Sequence, residues 1–222
     1  MKCPECGRKM YRESLNVMRA CCHECGIELS LPLYAALFVR DDSAYKKRDA
    51  WDAFDEGRDA RTFEGGIPCV CHPPCRKWGV LAHMAHNARP GEKRLALWSI
   101  IQVRRNGGII EHPSGSKLFK KHLPNVGDLP DEFGGFTIEI DQFDFGHVAH
   151  KRTKLYLCGL DVRSLPELPR KRLEHTDRSI CGNVEGTKRC TQYQREYSPE
   201  ALIDWFESAL SRMHNEPNQR RA

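Results

Sequence analysis

The sequence predicts an α/β fold: a mixed, largely parallel sheet with few helices, preceded by a small metal-binding ribbon. Three observations predict it. Near-continuous apolar runs at residues 33–39 and 67–71 suit strands buried on both faces, as in a parallel sheet. One clear amphipathic helix, residues 91–105, separates the second run from a third at 109–113. Two Cys-x-x-Cys-Gly knuckles, Cys3-Pro-Glu-Cys6 and Cys22-His-Glu-Cys25, stand fifteen residues apart at the start of the chain.

Bulk properties narrow the class. A chain of 222 residues has room for one substantial core and a small appendage. Its composition, 40% hydrophobic and 29% charged, is ordinary for a globular protein. No apolar run approaches the roughly 18 residues of a membrane span. The first residues lack the apolar core of a signal peptide, which points to a cytoplasmic protein with no membrane partner. The eleven cysteines therefore read as reduced thiols and metal ligands rather than disulfides. A net charge of +5 is compatible with nucleic acid without demanding it.

Residues 1–30 read as a zinc ribbon. Each knuckle aims two thiolates at one ion, and Gly7 or Gly26 supplies the positive φ of the turn. Cys3, Cys6, Cys22 and Cys25 then complete a tetrahedral Zn²⁺ site, whose metal supplies folding energy that so small a unit lacks. A register with Cys21 replacing Cys22 is less regular. Such a ribbon either touches nucleic acid or protein, or simply caps the main domain.

Residues 31–214 form the main domain, with 215–222 expected as a disordered tail. After the strand at 33–39, Trp51 to Asp55 reads as a short strand or a helical turn. Only about 28 residues separate the first strand from the one at 67–71, which leaves little room for crossover helices. Pro73 and Pro74 then stop that strand, and Cys75 follows, where open α/β sheets place their ligand crevices. Cys75 has three possible uses: nucleophile, buried structural thiol, or one corner of a second metal site with Cys69, Cys71 and His72. The His-rich stretch 80–90 reads as a mobile loop beside it. Gly107 and Gly108 end the helix, and the strand at 109–113 carries Glu111 toward its carboxyl end. Two strand tips bearing Cys75 and Glu111 thus share one edge, joined by one helix.

Residues 123–135 read as loop. Alternation over 136–145 and an apolar run at 154–160 predict an antiparallel hairpin with a basic connection containing Lys151 and Arg152. Residues 161–192 read as a long loop in which Cys181 and Cys190 are free thiols. Ser198 as N-cap and Pro199 at the first helical position open a last helix with an apolar stripe at Leu202, Phe206, Ala209 and Leu210.

In this order the pieces resemble the cytosine-C5 DNA methyltransferases in a reduced form, and small phage and prophage proteins described as DNA methyltransferases. Pro73-Pro74-Cys75-Arg76 resembles the Pro-Cys segment that supplies the family's nucleophile. Glu111-His112-Pro113 resembles its Glu-Asn-Val. Residues 145–154 resemble its Gly-Val-Pro-Gln-x-Arg-x-Arg turn, with one extra residue and with Arg152 and Lys154 at the two arginines. Gly57-Arg58-Asp59 resembles the Gly-Asp-Ile segment whose Asp contacts the adenine of S-adenosylmethionine. The helix opening Ser198-Pro199-Glu200 resembles the cofactor-side C-terminal helix.

The resemblance spans roughly residues 33 to 210. It implies a Rossmann-like, S-adenosylmethionine-methyltransferase-type mixed sheet, DNA as partner, and action in the host-cell cytoplasm if the protein is phage-encoded. By its implication Cys75 adds to the pyrimidine C6, Glu111 stabilises charge on the ring and Arg152 is the supporting cation. Phe38 would stack on the cofactor adenine, with Asp59 at that adenine and Asp52 or Asp55 at the ribose. The chemistry asks for a thiol of depressed pKa, since C5 is not nucleophilic until a thiolate adds at C6. It also asks for a flipped or single-stranded base. No glycine follows the first strand, which continues Phe38-Val39-Arg40-Asp41-Asp42, and residues 161–192 are few for a target-recognition domain. The alternative is a zinc-ribbon nucleic-acid-binding or anti-restriction protein on a catalytically decayed methyltransferase core.

Overall fold

Short runs of small, apolar and β-branched residues make the strands, and proline and glycine end them. The computed structural model describes residues 2–12, 19–80, 82–180 and 184–215. β1 (Tyr11–Arg12), β2 (Arg19–Cys21) and β3 (Glu28–Ser30) form the antiparallel sheet of the ribbon. The main sheet comprises β4 (Tyr34–Leu37), β5 (Trp51–Phe54), β6 (Cys69–Cys71), β7 (Gly108–Pro113), β8 (Phe136–Asp141) and β9 (Arg152–Cys158). Its order is β5-β4-β6-β7-β9-β8. The first four are parallel, and β9 runs antiparallel to both β7 and β8. This mixed α/β sheet is compatible with a Rossmann-like fold.

Helices cover both faces. α1 (Glu92–Asn106) joins β6 to β7, and α2 (Lys117–His122) follows β7. α3 (Gln192–Glu196) and α4 (Glu200–Asn215) close the chain. Strand alternation divides the core accordingly. Ala35, Leu37, Cys69, Cys71 and Ile110 pack with α1 and α2. Ala36, Val70, Ile109, Leu155 and Leu157 pack with α4 on the opposite face.

The connections hold some departures from expectation. The links β4–β5 and β5–β6 carry only 3₁₀ turns, Ala44–Lys47 and Ala60–Thr62, as their length requires. α2 was not anticipated; Ser116 caps it by accepting from the Leu118 amide at 3.1 Å. The described part of residues 161–192 is largely irregular but contains a parallel bridge between β10 (Arg178–Ser179) and β11 (Lys188–Arg189). Thr191 and Gln194 then make a capping box for α3. α4 opens one residue later than Ser198 as cap would set it, because the Pro199 carbonyl accepts from the Leu202 and Ile203 amides. It continues to Asn215, the expected first tail residue; the rest of that tail, and Cys181, lie outside the described residues. Among the described residues no helix is long and apolar enough to cross a membrane.

The closeness of β6 and β7 depends on a glycine. Gly108 has φ +144, and a Cβ there would meet the Cys69 carbonyl oxygen at 2.0 Å. Gly108→Ala is therefore expected to lower stability by about 2 kcal/mol or more in urea unfolding. Gly115→Ala, whose Cβ would sit 3.5 Å from Val80, should stay within about 0.5 kcal/mol. Equal effects of the two would show that β6 and β7 can part to accept a side chain.

Candidate active site and metal centre

The chain leaves β4 for β5 on one side and returns to β6 on the other, so the carboxyl ends of β4 and β6 flank a topological switch point. Register brings the relevant residues level there. Leu37 pairs with Cys71 and Cys71 with Ile110, so the next residues, His72 and Glu111, are neighbours on one face. Pro73 and Pro74 carry no amide donor and end β6. The chain then turns at Cys75, whose carbonyl accepts from the Trp78 amide at 2.8 Å and the Gly79 amide at 3.0 Å. Cys75 is exposed.

Glu111 is largely buried, its side chain 12% exposed, and sits at the centre of a hydrogen-bonded cluster. Its Oε2 lies 3.2 Å from His72 Nδ1, and its Oε1 accepts from Gln142 Nε2 at 2.9 Å. A carboxylate only accepts, so His72 Nδ1 carries a proton, and its Nε2 lies 3.1 Å from the Tyr45 hydroxyl. Gln142 Nε2 also donates to Thr153 Oγ1 at 3.1 Å, while its Oε1 is buried without a partner among the described residues. Burial alone would raise the Glu111 pKa, but the His72 hydrogen bond and the Lys151 charge hold it down to about 2. Glu111 is thus an ionised acceptor near neutral pH. It is not a proton donor to a ring.

The thiol departs from the expected direction. The protein packed around the Cys75 sulfur, and then the Glu111 charge, push its pKa up, with Lys151 and Arg76 pulling the other way. The raised direction comes first from burial of the sulfur, although the residue as a whole is exposed, and then from the Glu111 charge. Resting Cys75 is a neutral thiol near pH 7, not a depressed one. On the other face His112 is fully buried, its pKa lowered to about 4 by that burial. Neither of its nitrogens makes a well-formed hydrogen bond among the described residues, although the Pro73 and Pro74 carbonyls are near enough to favour its charge.

The cation near Glu111 and Cys75 is Lys151; Arg152, expected there, is turned away. Glu111 is level with Leu155 across the β7–β9 pair, so Thr153 and Leu155 share its face and Arg152 points to the other. Arg152 is exposed and ion-paired to Glu139. Lys151 precedes it, acts on both Glu111 and Cys75, and donates to the Tyr197 carbonyl at 3.4 Å. Sequence reasoning also passed over Gln142 and Tyr45. Alternation along β9 was the available signal for Arg152; nothing local marked Gln142 or Tyr45.

The residues expected at a cofactor have other contacts. Phe38 sits in the left-handed region, φ 63, with its ring edge-on to Trp98 at 5.9 Å. Asp52 is ion-paired to Arg58 and lines a cleft of about 640 Å³ beside Arg19 and Ser30 of the ribbon, toward the start of β5. Asp59 accepts from the Arg61 amide at 2.9 Å and pairs with its guanidinium. A second metal site at Cys69, Cys71, His72 and Cys75 does not form among the described residues. Cys69 and Cys71 face α1, while His72 faces the opposite side and holds Glu111.

The ribbon cysteines do converge. The sulfurs of Cys3, Cys6, Cys22 and Cys25 lie within 4.8 Å of one another, and together they can hold a metal ion such as zinc. Zn–S bonds of ≈ 2.3 Å in a tetrahedron place sulfurs about 3.8 Å apart; Cys3–Cys25, Cys6–Cys22 and Cys6–Cys25 stand at 3.3, 3.5 and 3.8 Å. Gly7 and Gly26 take φ 68 and 70, and the amide of each donates a hydrogen bond to the Cys3 or Cys22 carbonyl at 2.9 Å, closing the knuckle. Knuckle amides lower Cys22 to about 6, while neighbouring sulfurs push Cys25 up to about 12, the conflict a cation removes. Cys21 is turned toward Glu28, which selects the Cys22 register.

Compared with known proteins, the chain matches no family model, and no curated protein or solved structure shows significant similarity to it.

Two measurements follow from this geometry. Purified protein should bind one zinc per chain; Cys22→Ser should weaken zinc binding by at least ~100-fold and Cys21→Ser should leave it unchanged, as read by competition with a chromogenic chelator. Equal losses would place Cys21 among the ligands. For Cys75, alkylation by iodoacetamide followed at that peptide by mass spectrometry should be slow at neutral pH and still rising past pH 9. Glu111→Gln should speed it several-fold and Lys151→Met slow it several-fold. If both variants match the parent, neither charge acts on the thiol.

Proposed function

We propose that the protein modifies a DNA base by the chemistry of the cytosine-C5 methyltransferases, on a Rossmann-like sheet of the S-adenosylmethionine-methyltransferase type reduced in size, with Cys75 as nucleophile. The observation that carries the reading is the shared edge: an exposed thiol just past β6 and a buried carboxylate in the adjacent β7, close enough for one charge to act on the other. Supporting it, Phe38 makes after β4 the left-handed turn that glycine ordinarily makes.

In this reading a flipped or single-stranded cytosine enters at the switch point and Cys75 adds to C6 after losing its proton. Glu111, ionised and oriented by His72, accepts from the exocyclic amine of the base. Lys151 stands in the role the resemblance gave Arg152, offsetting the Glu111 charge at the thiolate. S-adenosylmethionine, when bound, would supply the methyl group that becomes attached at C5. After transfer, loss of the C5 proton to water and departure of the Cys75 sulfur as thiolate restore the ring, and the thiolate takes up a proton from solvent.

A second reading is a nucleic-acid-binding or anti-restriction protein in which this chemistry has decayed. The ion pairs that engage Asp52 and Asp59 favour it, since both carboxylates are held by arginines rather than presented to a ligand.

Incubation with DNA and methyl-labelled S-adenosylmethionine distinguishes the two. The first reading expects label in the DNA, its loss in Cys75→Ser, and a covalent adduct with DNA containing 5-fluorocytosine. Retained DNA binding with neither label, adduct nor heat on titration with S-adenosylmethionine would overturn it and leave the second.

A further inference from the structure

Positive charge is unevenly distributed along this chain. Residues 76–126 hold ten lysines and arginines against two acidic residues, a net charge of +8, whereas the whole chain carries +5 and the remainder therefore −3. Neither acid offsets the surface. Glu92 is 5% exposed and faces Arg76 Nε at 3.0 Å, and Glu111 is turned into the buried cluster. Arg89 and Arg104 are paired with Glu56 and Asp131. Lys77, Lys93, Arg94, Lys117, Lys120 and Lys121 have no carboxylate partner among the described residues.

The fold gathers these cations beside Cys75. Trp78, 2% exposed, is the hub: its amide donates to the Cys75 carbonyl at 2.8 Å and its carbonyl accepts from the Lys117 amide at 2.8 Å. Its indole donates to the Lys93 carbonyl at 3.1 Å, and the Lys93 ammonium lies 5.0 Å from its ring centre. The start of α1, the Cys75 turn and α2 are thereby tied into one cationic surface, on the face opposite the Glu111 cluster. Like charges held together without partners repel and cost stability, which a polyanion would relieve. α2 offers no apolar face to a bilayer, since Leu118 and Phe119 are fully buried and Leu123 is 7% exposed.

We propose that α2, the first turn of α1 and Lys77 form the phosphate track of a nucleic-acid partner, which runs past the exposed Cys75. The choice of nucleic acid rests on the base chemistry proposed for Cys75; the track itself rests on the charges and their placement. The backbone lies along the α1–α2 face, and a base leaving it crosses the carboxyl rim toward Glu111.

The test uses full-length, zinc-loaded protein and fluorescein-labelled 20-mers, single-stranded and duplex, in fluorescence anisotropy across a salt series. Lys117→Gln/Lys120→Gln/Lys121→Gln should weaken binding by about tenfold or more and reduce the slope of log affinity against log salt by about 2. The comparison variant Arg170→Gln/Lys171→Gln/Arg189→Gln, also three exposed cations, should bind within about twofold of the parent. Circular dichroism checks that both remain folded. Unchanged binding by the α2 variant, equal losses in both variants, or no oligonucleotide binding by the parent would each overturn the track. Binding to vesicles rich in anionic lipid, lost in the α2 variant and without oligonucleotide binding, would assign the surface to a membrane instead. Binding that follows the expected pattern without methyl transfer would leave the track standing and remove only the proposed chemistry.

Discussion

A carboxylate withdrawn from water between two strands is costly unless charge and hydrogen bonds compensate it, and Glu111 imposes that requirement on the whole carboxyl edge of the sheet. Its partners come from separate segments. His72 follows β6, Gln142 follows β8 and Lys151 precedes β9. Through His72 the cluster reaches Tyr45, on the turn between β4 and β5, whose ring packs against Trp51 at 4.7 Å. One buried charge therefore fixes three connections relative to one another, β4–β5, β6–α1 and β8–β9. Removing any partner leaves an uncompensated acceptor in the core, so these loops are held by a penalty on opening as much as by packing.

The same charge governs the thiol. A carboxylate near Cys75 opposes thiolate formation, and Lys151 is the counterweight on both groups. Its position is set from the far side of the chain. Lys151 reaches the Tyr197 carbonyl, and Tyr197 is stacked between His147, at 4.8 Å and 13°, and Tyr193, at 5.7 Å and 9°. Arg40, leaving β4, lies over the Tyr193 ring at 5.2 Å and pairs with Glu196. α3 and its aromatic column thus brace the cation against the exit of the first main-sheet strand, which gives this segment a structural task that its lack of periodicity concealed.

What could be read from the residues follows the range of the forces involved. The strands, α1 and the ribbon are local: apolar runs, a 3.6-residue stripe and two knuckles each announce themselves within a few residues. The shared edge of Cys75 and Glu111 was also legible, because strand–helix–strand order constrains it. The expectation for Arg152 rested on charge and order alone. Alternation on β9 turns that side chain away, and only the register with β7 shows it. His72 was visible as a candidate metal ligand, yet its partner lies 39 residues away on another strand, beyond any local pattern. α2 was missed because six residues rich in lysine make a weak stripe; its two apolar residues, Leu118 and Phe119, are nevertheless wholly buried.

The first main-sheet strand ends on a left-handed residue that is not glycine, Phe38. A left-handed conformation costs a residue bearing a Cβ roughly 1–2 kcal/mol, and Phe38 adopts it at φ 63. Its ring, edge-on to Trp98 of α1, provides a contact worth about 0.5–1.5 kcal/mol beyond simple burial. Glycine would make the same turn without strain and without the anchor. The chain thus exchanges conformational freedom after β4 for a fixed contact with the helix between Cys75 and Glu111.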